Sequence, residues 1–450
     1  MEKTVYRINR DDRRLFVKLL IPVLIENIIN ALFGIMDSAM LGKVDNAAQA
    51  IASVGIVSST INLCVCFMLS FTVGITVKIS QSYGAENMKD CRRITAQNLP
   101  VVTLMGLVIA AVVYIIAPYI VMFLGAKSEL TADAVSYLRI VSIGFFPQAA
   151  VIAITAAYRG VGQTRIPMVY NLSAGLLNVI LNYILINGKC GFPALRVAGA
   201  AYATTAAKFI VFFAAILILF FVRSPIRIGL KDFFRGRDMI MPSVKLGLSA
   251  GTEQILIQGG DIITTAIVAV VTTASFAAYQ VSLSIESSLW AISGAFCVAA
   301  TSLSGMAMGQ KNREKIKAVV KFVWCVGFAA AILIAAFFFF FSDTLANLYT
   351  NDAEVAKIAA GMMSVCCCKI LGIMTHQIIA GGMRGMGHPV YPLVSSLISL
   401  WLCRVLGCFI AFRIFHADIL WVFILLLADQ CLRAVLNLIF YRRLNRKCST

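Results

Sequence analysis

Glu26, Asn30 and Asp37 stand four and seven residues apart in the first long apolar stretch of the chain. That spacing lines them along one face of a helix, with Gly34 between. Acids and bases inside a bilayer cost about 2.5 to 3.5 kcal/mol each on insertion scales, so each is a functional candidate. A carboxylate at Asp37, partly desolvated in the outer half of its span, can take up a proton or a sodium ion at physiological pH. Asn178 and Asn182, one turn apart on one face, and Thr204 beside Thr205 offer amides and hydroxyls. Such groups can hold a carboxylate, coordinate an ion with hard oxygens, or simply hydrogen-bond between helices.

A second stripe follows in Glu253, Gln254, Gln258, Asp261 and Thr265, with Gln280, Ser284 and Glu286 in the next span. Bases within spans include Lys208, Lys369, Arg404 and Arg433. Asp429 and Arg433, four apart, are expected to pair along their own helix. Glu253 and Glu286 have no such local cation. They are expected to face a cavity, neutralised by Lys369 or Arg404 or open to a cationic substrate. Of the three histidines, only His376 is deep enough in a span to matter, and it is read as an ordinary buried histidine.

The elements that must position these residues are membrane spans. A hydrophobic fraction of 60% with 13% charged residues exceeds what a soluble core can hide, and the apolar runs approach the ~20 residues that cross a bilayer. Twelve spans are predicted: 15–41, 50–78, 97–124, 135–157, 166–187, 198–222, 243–271, 276–306, 318–341, 355–381, 390–412 and 418–440. Runs such as Phe337 to Phe341 lack the alternation of a barrel strand. The net charge of +18 gathers in alternate loops, for example Lys89, Arg92 and Arg93, then Arg223 to Arg237, then Lys311 to Lys317. The intervening loops carry Asp45, then Glu129 and Asp133, then Asp343, Asp352 and Glu354. The positive-inside rule therefore puts both termini in the cytoplasm, and that distribution speaks against nucleic acid as the partner of the basic charge.

The chain also repeats itself. Arg159-Gly160-Val161-Gly162 returns as Arg384-Gly385-Met386-Gly387, 225 residues on (384 − 159), and Gly84 to Asn87 returns as Gly309 to Asn312 at the same displacement. Near the start of each half the displacement is 227, laying Glu26 over Glu253. Two Arg-Gly-x-Gly strings read as helix ends, glycine making the turn and arginine meeting exposed carbonyls or headgroups. Duplicated halves are a common construction for secondary transporters, which favours transport over catalysis. The domains are accordingly 1–222, a cytoplasmic linker 223–242, and 243–450. Within the linker, Leu230 to Arg235 reads as a short amphipathic helix on the inner headgroups.

These residues resemble the multidrug and toxic compound extrusion family over nearly the whole chain. The likeness rests on Pro22 and Asp37, the Gly84 and Gly309 loops, the duplicated Arg-Gly-x-Gly strings, Gly247-Leu248 with Glu253-Gln254, and Gly199 to Thr204. It implies an all-α polytopic protein of twelve transmembrane helices in two pseudo-symmetric six-helix lobes. It implies an antiporter that exports organic cations by alternating access, in exchange for protons or sodium. Coupling falls by resemblance to Asp37, Asn178, Asn182 and Thr204, with a possible sodium site at Asp37. Asn182 stands where the family often has a second acid, so the two-acid site is incomplete; the acids that the resemblance places on the tenth and seventh helices of the sodium-dependent branch are missing, with Gly372 and Ile257 there, which leans the reading towards a proton. Glu26, Asn30, Glu253, Gln254, Asp261, Gln280 and Glu286 are expected to line the substrate cavity.

No cofactor is expected beyond the coupling ion, and no metal site is read from the thirteen cysteines, which show no paired spacing. The expected partners are small organic cations and membrane lipids, with no nucleic acid and no ATP, since a Gly-x-x-x-x-Gly-Lys-Ser/Thr loop is absent. The chain is read as a monomer in a bacterial cell membrane, and not an enzyme. The alternative reading is a lipid-linked oligosaccharide flippase, which would gather Lys208, Lys369 and Arg404 on its cavity.

Overall fold

The computed structural model describes residues 6–42, 47–125, 128–234, 236–268, 273–349, 353–413, 415 and 420–447. Asp45, Asp352 and His416 lie outside these residues, and the side chain of Gln280 lies outside the described ones. The described residues are helical throughout, apart from turns and short connections. The first half runs α1 (Arg10–Leu41), α2 (Ala47–Phe71), α3 (Val73–Gly84), α4 (Met88–Phe123), α5 (Ser128–Ile143), α6 (Phe145–Gly160), α7 (Arg165–Asn187) and α8 (Arg196–Phe221). The second half runs α9 (Ile240–Val268), α10 (Thr273–Gly309), α11 (Arg313–Phe340), α12 (Ser342–Tyr349), α13 (Ala353–Gly385), α14 (Val390–Ile398), a π-helical stretch (Ser399–Val405), α15 (Leu406–Arg413) and α16 (Leu420–Lys447).

Twelve spans follow once broken helices are joined. The predicted span 50–78 is α2 and α3 in line, and 135–157 is α5 and α6, bent by 44° at Gly144. The span 390–412 is α14, the π-helical stretch and α15. Among the described residues, nine helices, or ten counting the bent pair, are long and apolar enough to cross a membrane. The other two long helices, α9 and α13, carry Glu253 and Asp261, and Lys369, His376 and Arg384.

Packing divides the chain into two compact units: Ile21–Gly251, and Met1–Leu20 with Thr252–Thr450. The division runs through α1 and α9. In the first unit α6 is the centre: nearly every residue from Phe145 to Gly160 is buried, as expected of a helix apolar on all sides. Large side chains that a soluble protein would hide, such as Ile115, Phe123, Phe213 and Leu217, point outward, where lipid is the solvent. The segment Leu230–Phe234 is a 3₁₀ turn, and Phe233 stacks on Phe220 of α8 at 6.3 Å.

The duplication is built into the turns. α6 ends in bonds from the Val161, Gly162 and Gln163 amides to the Ala157, Arg159 and Tyr158 carbonyls, and α13 repeats the set from Met386, Gly387 and His388 to Gly382, Arg384 and Met383. Gly162 and Gly387 take φ of 78° and 89°, a left-handed conformation natural to glycine. Helices α4 and α11 both start on an asparagine cap, Asn87 accepting from the Asp90 amide and Asn312 from the Lys315 amide.

Candidate functional site

In the Ile21–Gly251 unit, the four residues assigned to coupling come together. Asn182 Nδ2 of α7 donates to Asp37 Oδ1 of α1 at 2.7 Å. The orientation of the Asn178 amide that satisfies both its ends has its nitrogen 3.2 Å from each Asp37 oxygen. Its oxygen then accepts from the Thr204 backbone N–H at 3.2 Å and from Thr204 Oγ1 at 3.1 Å. Asp37 is half-buried, whereas Asn182 is only 2% exposed, and its Oδ1 has no hydrogen-bond partner among the described residues.

Close helix approach makes this cluster possible. A Cβ at Gly199 would stand 2.6 Å from the Leu185 carbonyl, so α7 and α8 pack backbone to backbone and Thr204 reaches Asn178. A Cβ at Gly175 would overlap the ring of Phe33, so that glycine lets α1 lie against α7. One turn beyond Asp37, Leu41 joins Ile186 and Ala200 in an apolar cluster that closes the site on that side. The arrangement is one carboxylate facing amide N–H groups. The donors serve the carboxylate, and the Thr204 hydroxyl and the Asn182 amide oxygen are the further oxygens of the cluster.

Glu26 is buried, at 5% exposure. It accepts from Asn171 Nδ2 at 2.8 Å and pairs with Arg159 Nη2 at 3.4 Å. The other unit repeats this clasp. Glu253 accepts from Arg384 Nη2 at 2.6 Å and from Ser396 Oγ at 2.9 Å. Asn171 and Ser396 are 225 residues apart (396 − 171), the displacement of the arginines. Each arginine of the repeated string thus holds a buried acid, which was not expected of it, and the cation on Glu253 is Arg384 where Lys369 or Arg404 was expected. The physical reason is desolvation, since a buried carboxylate is tolerated only with a hydrogen-bonded cation. Neither Asn171 nor Ser396 was found by sequence reasoning. The repeat displacement was the signal that could have found them.

Three other second-half acids, Glu286, Asp261 and Asp429, are also paired. Glu286 accepts from Lys369 Nζ at 2.6 Å and from Trp290 Nε1 at 3.0 Å, and Trp290 stands edge-on to His376. Asp261, with its side chain 41% exposed, meets Arg404 Nη1 at 2.6 Å. Asp429 and Arg433 pair along α16 at 3.2 Å as expected, with Ser399 of the π-helical stretch donating to the same carboxylate. Asn30 is exposed and Gln254 half-buried, and neither joins the clusters on Asp37 or Glu253. Lys208 lies over the Phe145 ring, 5.5 Å from its centroid, in the other unit from Lys369 and Arg404. Among the described residues, no group of three or more His, Cys, Asp or Glu could hold a metal ion.

Duplicated helical halves, charged pairs buried inside spans, and a lone carboxylate held by amides define a polytopic transporter. The chain belongs to the MatE family, whose model matches residues 22–184 and 250–410. It is therefore a multi-pass protein of the cell membrane in a family of transporters. It is 25% identical over 442 residues to the probable multidrug resistance protein NorM of Thermotoga maritima, covering 95% of this chain and 92% of the relative. It is also 25% identical over 430 residues to the uncharacterized transporter YisQ of Bacillus subtilis, covering 94% and 92%. Among solved structures, a MOP superfamily transporter from Pyrococcus furiosus superposes with a TM-score of 0.91 at 19% identity, over 98% of this chain and 97% of that one. An outward-facing multidrug resistance MATE family transporter superposes with a TM-score of 0.90 at 19% identity, over 97% and 96%. These likenesses establish the twelve-helix, two-lobe fold.

Proposed function

We propose that this chain is a secondary antiporter that exports organic cations in exchange for protons, with Asp37 as the coupling carboxylate. The observation that carries this reading is the hydrogen bond from Asn182 Nδ2 to Asp37 Oδ1, with Asn178 and Thr204 completing the cluster. With amide N–H groups turned toward it, the anion is held. Protonation cancels the charge that those donors serve and loosens the contact between α1 and α7. Coupling then requires that proton and substrate bind differently to the outward and inward states. The relatives named for multidrug resistance support organic compounds as cargo.

On this reading the lobes 1–222 and 243–450, joined by 223–242, alternate access, both termini lie in the cytoplasm, and the working unit is a monomer that needs no cofactor and no ATP. The flippase alternative is not favoured, because Lys369 and Arg404 are each engaged by an acid of their own unit. The test is efflux of a fluorescent organic cation from proteoliposomes under a proton or a sodium gradient applied separately, with Asp37→Asn alongside. Proton-driven efflux that the variant abolishes supports the proposal. Efflux driven by sodium alone replaces the ion, and no cation movement under either gradient overturns the substrate class.

A further inference from the structure

The segment ahead of α1 and the first turns of α11 enclose a cleft of about 380 Å³ in the unit formed by residues 1–20 and 252–450. It is lined by the apolar Ile8, Ala318, Phe322 and Cys325 together with Tyr6, Glu314, Lys317 and Lys321. One wall is built rather than loose. The Tyr6 hydroxyl donates to Asp12 Oδ2 at 2.8 Å, the Asp12 amide donates to Asn9 Oδ1 at 2.8 Å, and Lys315 Nζ pairs with Asp12 Oδ1 at 3.0 Å. Burial and then the hydrogen bond to Asp12 raise the Tyr6 phenol above its ordinary value, so it stays a donor. Lys315 is thus committed to Asp12, while Glu314 and Lys317 pair at 2.8 Å across half-exposed side chains.

Counting Glu314 against Lys317 and Lys321 leaves one positive charge on the cleft, which complements a monoanion. Lys317, Lys321, Cys325, Ala329 and Leu333 recur every four residues, and from Lys321 onward all are exposed along one face of α11. From Lys321 to Leu333 the helix rises ~18 Å, enough to cross the ~15 Å of one hydrocarbon leaflet. A ligand seated here therefore meets cationic groups at the basic end of the helix and an apolar track running away from them.

We propose that this cleft binds one glycerophospholipid with an anionic, hydroxyl-bearing headgroup, its phosphate on Lys317 and Lys321 and one acyl chain along the Cys325–Leu333 face. Glu314 is placed to accept from the headgroup hydroxyls, a role that a choline headgroup cannot satisfy.

Native mass spectrometry of the full-length protein in detergent, supplied with phosphatidylglycerol, phosphatidylcholine or sn-glycerol phosphate, tests this. The wild type should retain phosphatidylglycerol over phosphatidylcholine. At about fivefold per lysine, the Lys317→Ala/Lys321→Ala variant should lose about twenty-fivefold in retention. Lys89→Ala/Arg92→Ala, an equal charge change at the start of α4, should retain it fully. Cys325→Trp, which fills the cleft and keeps both lysines, should also lose it. Equal retention of both lipids by the wild type, equal loss in Lys89→Ala/Arg92→Ala, or full retention in Cys325→Trp each overturns the proposal. Displacement of the lipid by glycerol phosphate at equal concentration would make the cleft a phosphate site and overturn it as well.

Discussion

Replacing Lys369 by methionine keeps the bulk of a side chain only 2% exposed and removes the cation 2.6 Å from Glu286, itself 10% exposed. Neither partner can recover water without opening α10 from α13, so solvent screening does not discount the loss. Stripping one member from a buried pair costs about 3 to 5 kcal/mol, because the remaining charge stays desolvated. Glu286 would keep only the Trp290 Nε1 hydrogen bond at 3.0 Å. The double variant Glu286→Gln/Lys369→Met removes both charges, and its amide oxygen still accepts from Trp290. It should lie within about 1 to 2 kcal/mol of wild type, so that removing the Glu286 charge as well recovers about 2 to 3 kcal/mol of what the single variant loses. The assay is unfolding of the detergent-solubilised protein by added SDS, followed by tryptophan fluorescence, with Trp290 reporting at the pair itself. A Lys369→Met variant within about 1 kcal/mol of wild type, or a double variant no more stable than the single, would refute the argument that charge burial governs this contact.

The same titration should rank the two clasps: Arg384→Gln, which breaks a 2.6 Å pair, should cost more than Arg159→Gln, which breaks one of 3.4 Å, by about 1 kcal/mol or more. Asn182→Ala removes the 2.7 Å donor to Asp37 and should slow proton-driven efflux about tenfold, as expected for a hydrogen bond to a charged group, with surface expression unchanged. Gly385→Ala should destabilise by about 1 to 3 kcal/mol through overpacking, because its Cβ would overlap Ser304 Oγ and the Thr301 carbonyl. Gly34→Ala meets nothing within 4 Å and should leave stability unchanged or raise it by up to about 1 kcal/mol.

Much of this was legible beforehand because a membrane makes sequence signals strong. An acid among apolar residues is conspicuous, and Asp37, Asn182 and Thr204 were visible as outliers before any contact was known. The Glu26 and Glu253 clasps were half legible: both acids were seen, but their arginines were read as helix ends. Arginine side chains are long, and a helix terminus in sequence does not say which way the guanidinium folds. In the structure the close packing of Gly385 on Thr301 and Ser304 sets where the end of α13 lies, and Arg384 reaches Glu253 at 2.6 Å. Arg404 was likewise seen, but the π-helical stretch Ser399–Val405 that carries it has no local sequence signature.

By itself the order of residues determined the helical class, the twelve spans, the repeat at 225 residues and the list of polar groups that had to find partners in lipid. Those depend on hydropathy and periodicity, which are local and additive along the chain. Only the tertiary structure decided the pairing: Glu253 with Arg384, Glu286 with Lys369, Asp261 with Arg404, and Asp37 with amides alone. Partner choice depends on distances of a few ångströms between helices far apart in sequence. It is there that desolvation cost selects which cation each buried acid keeps.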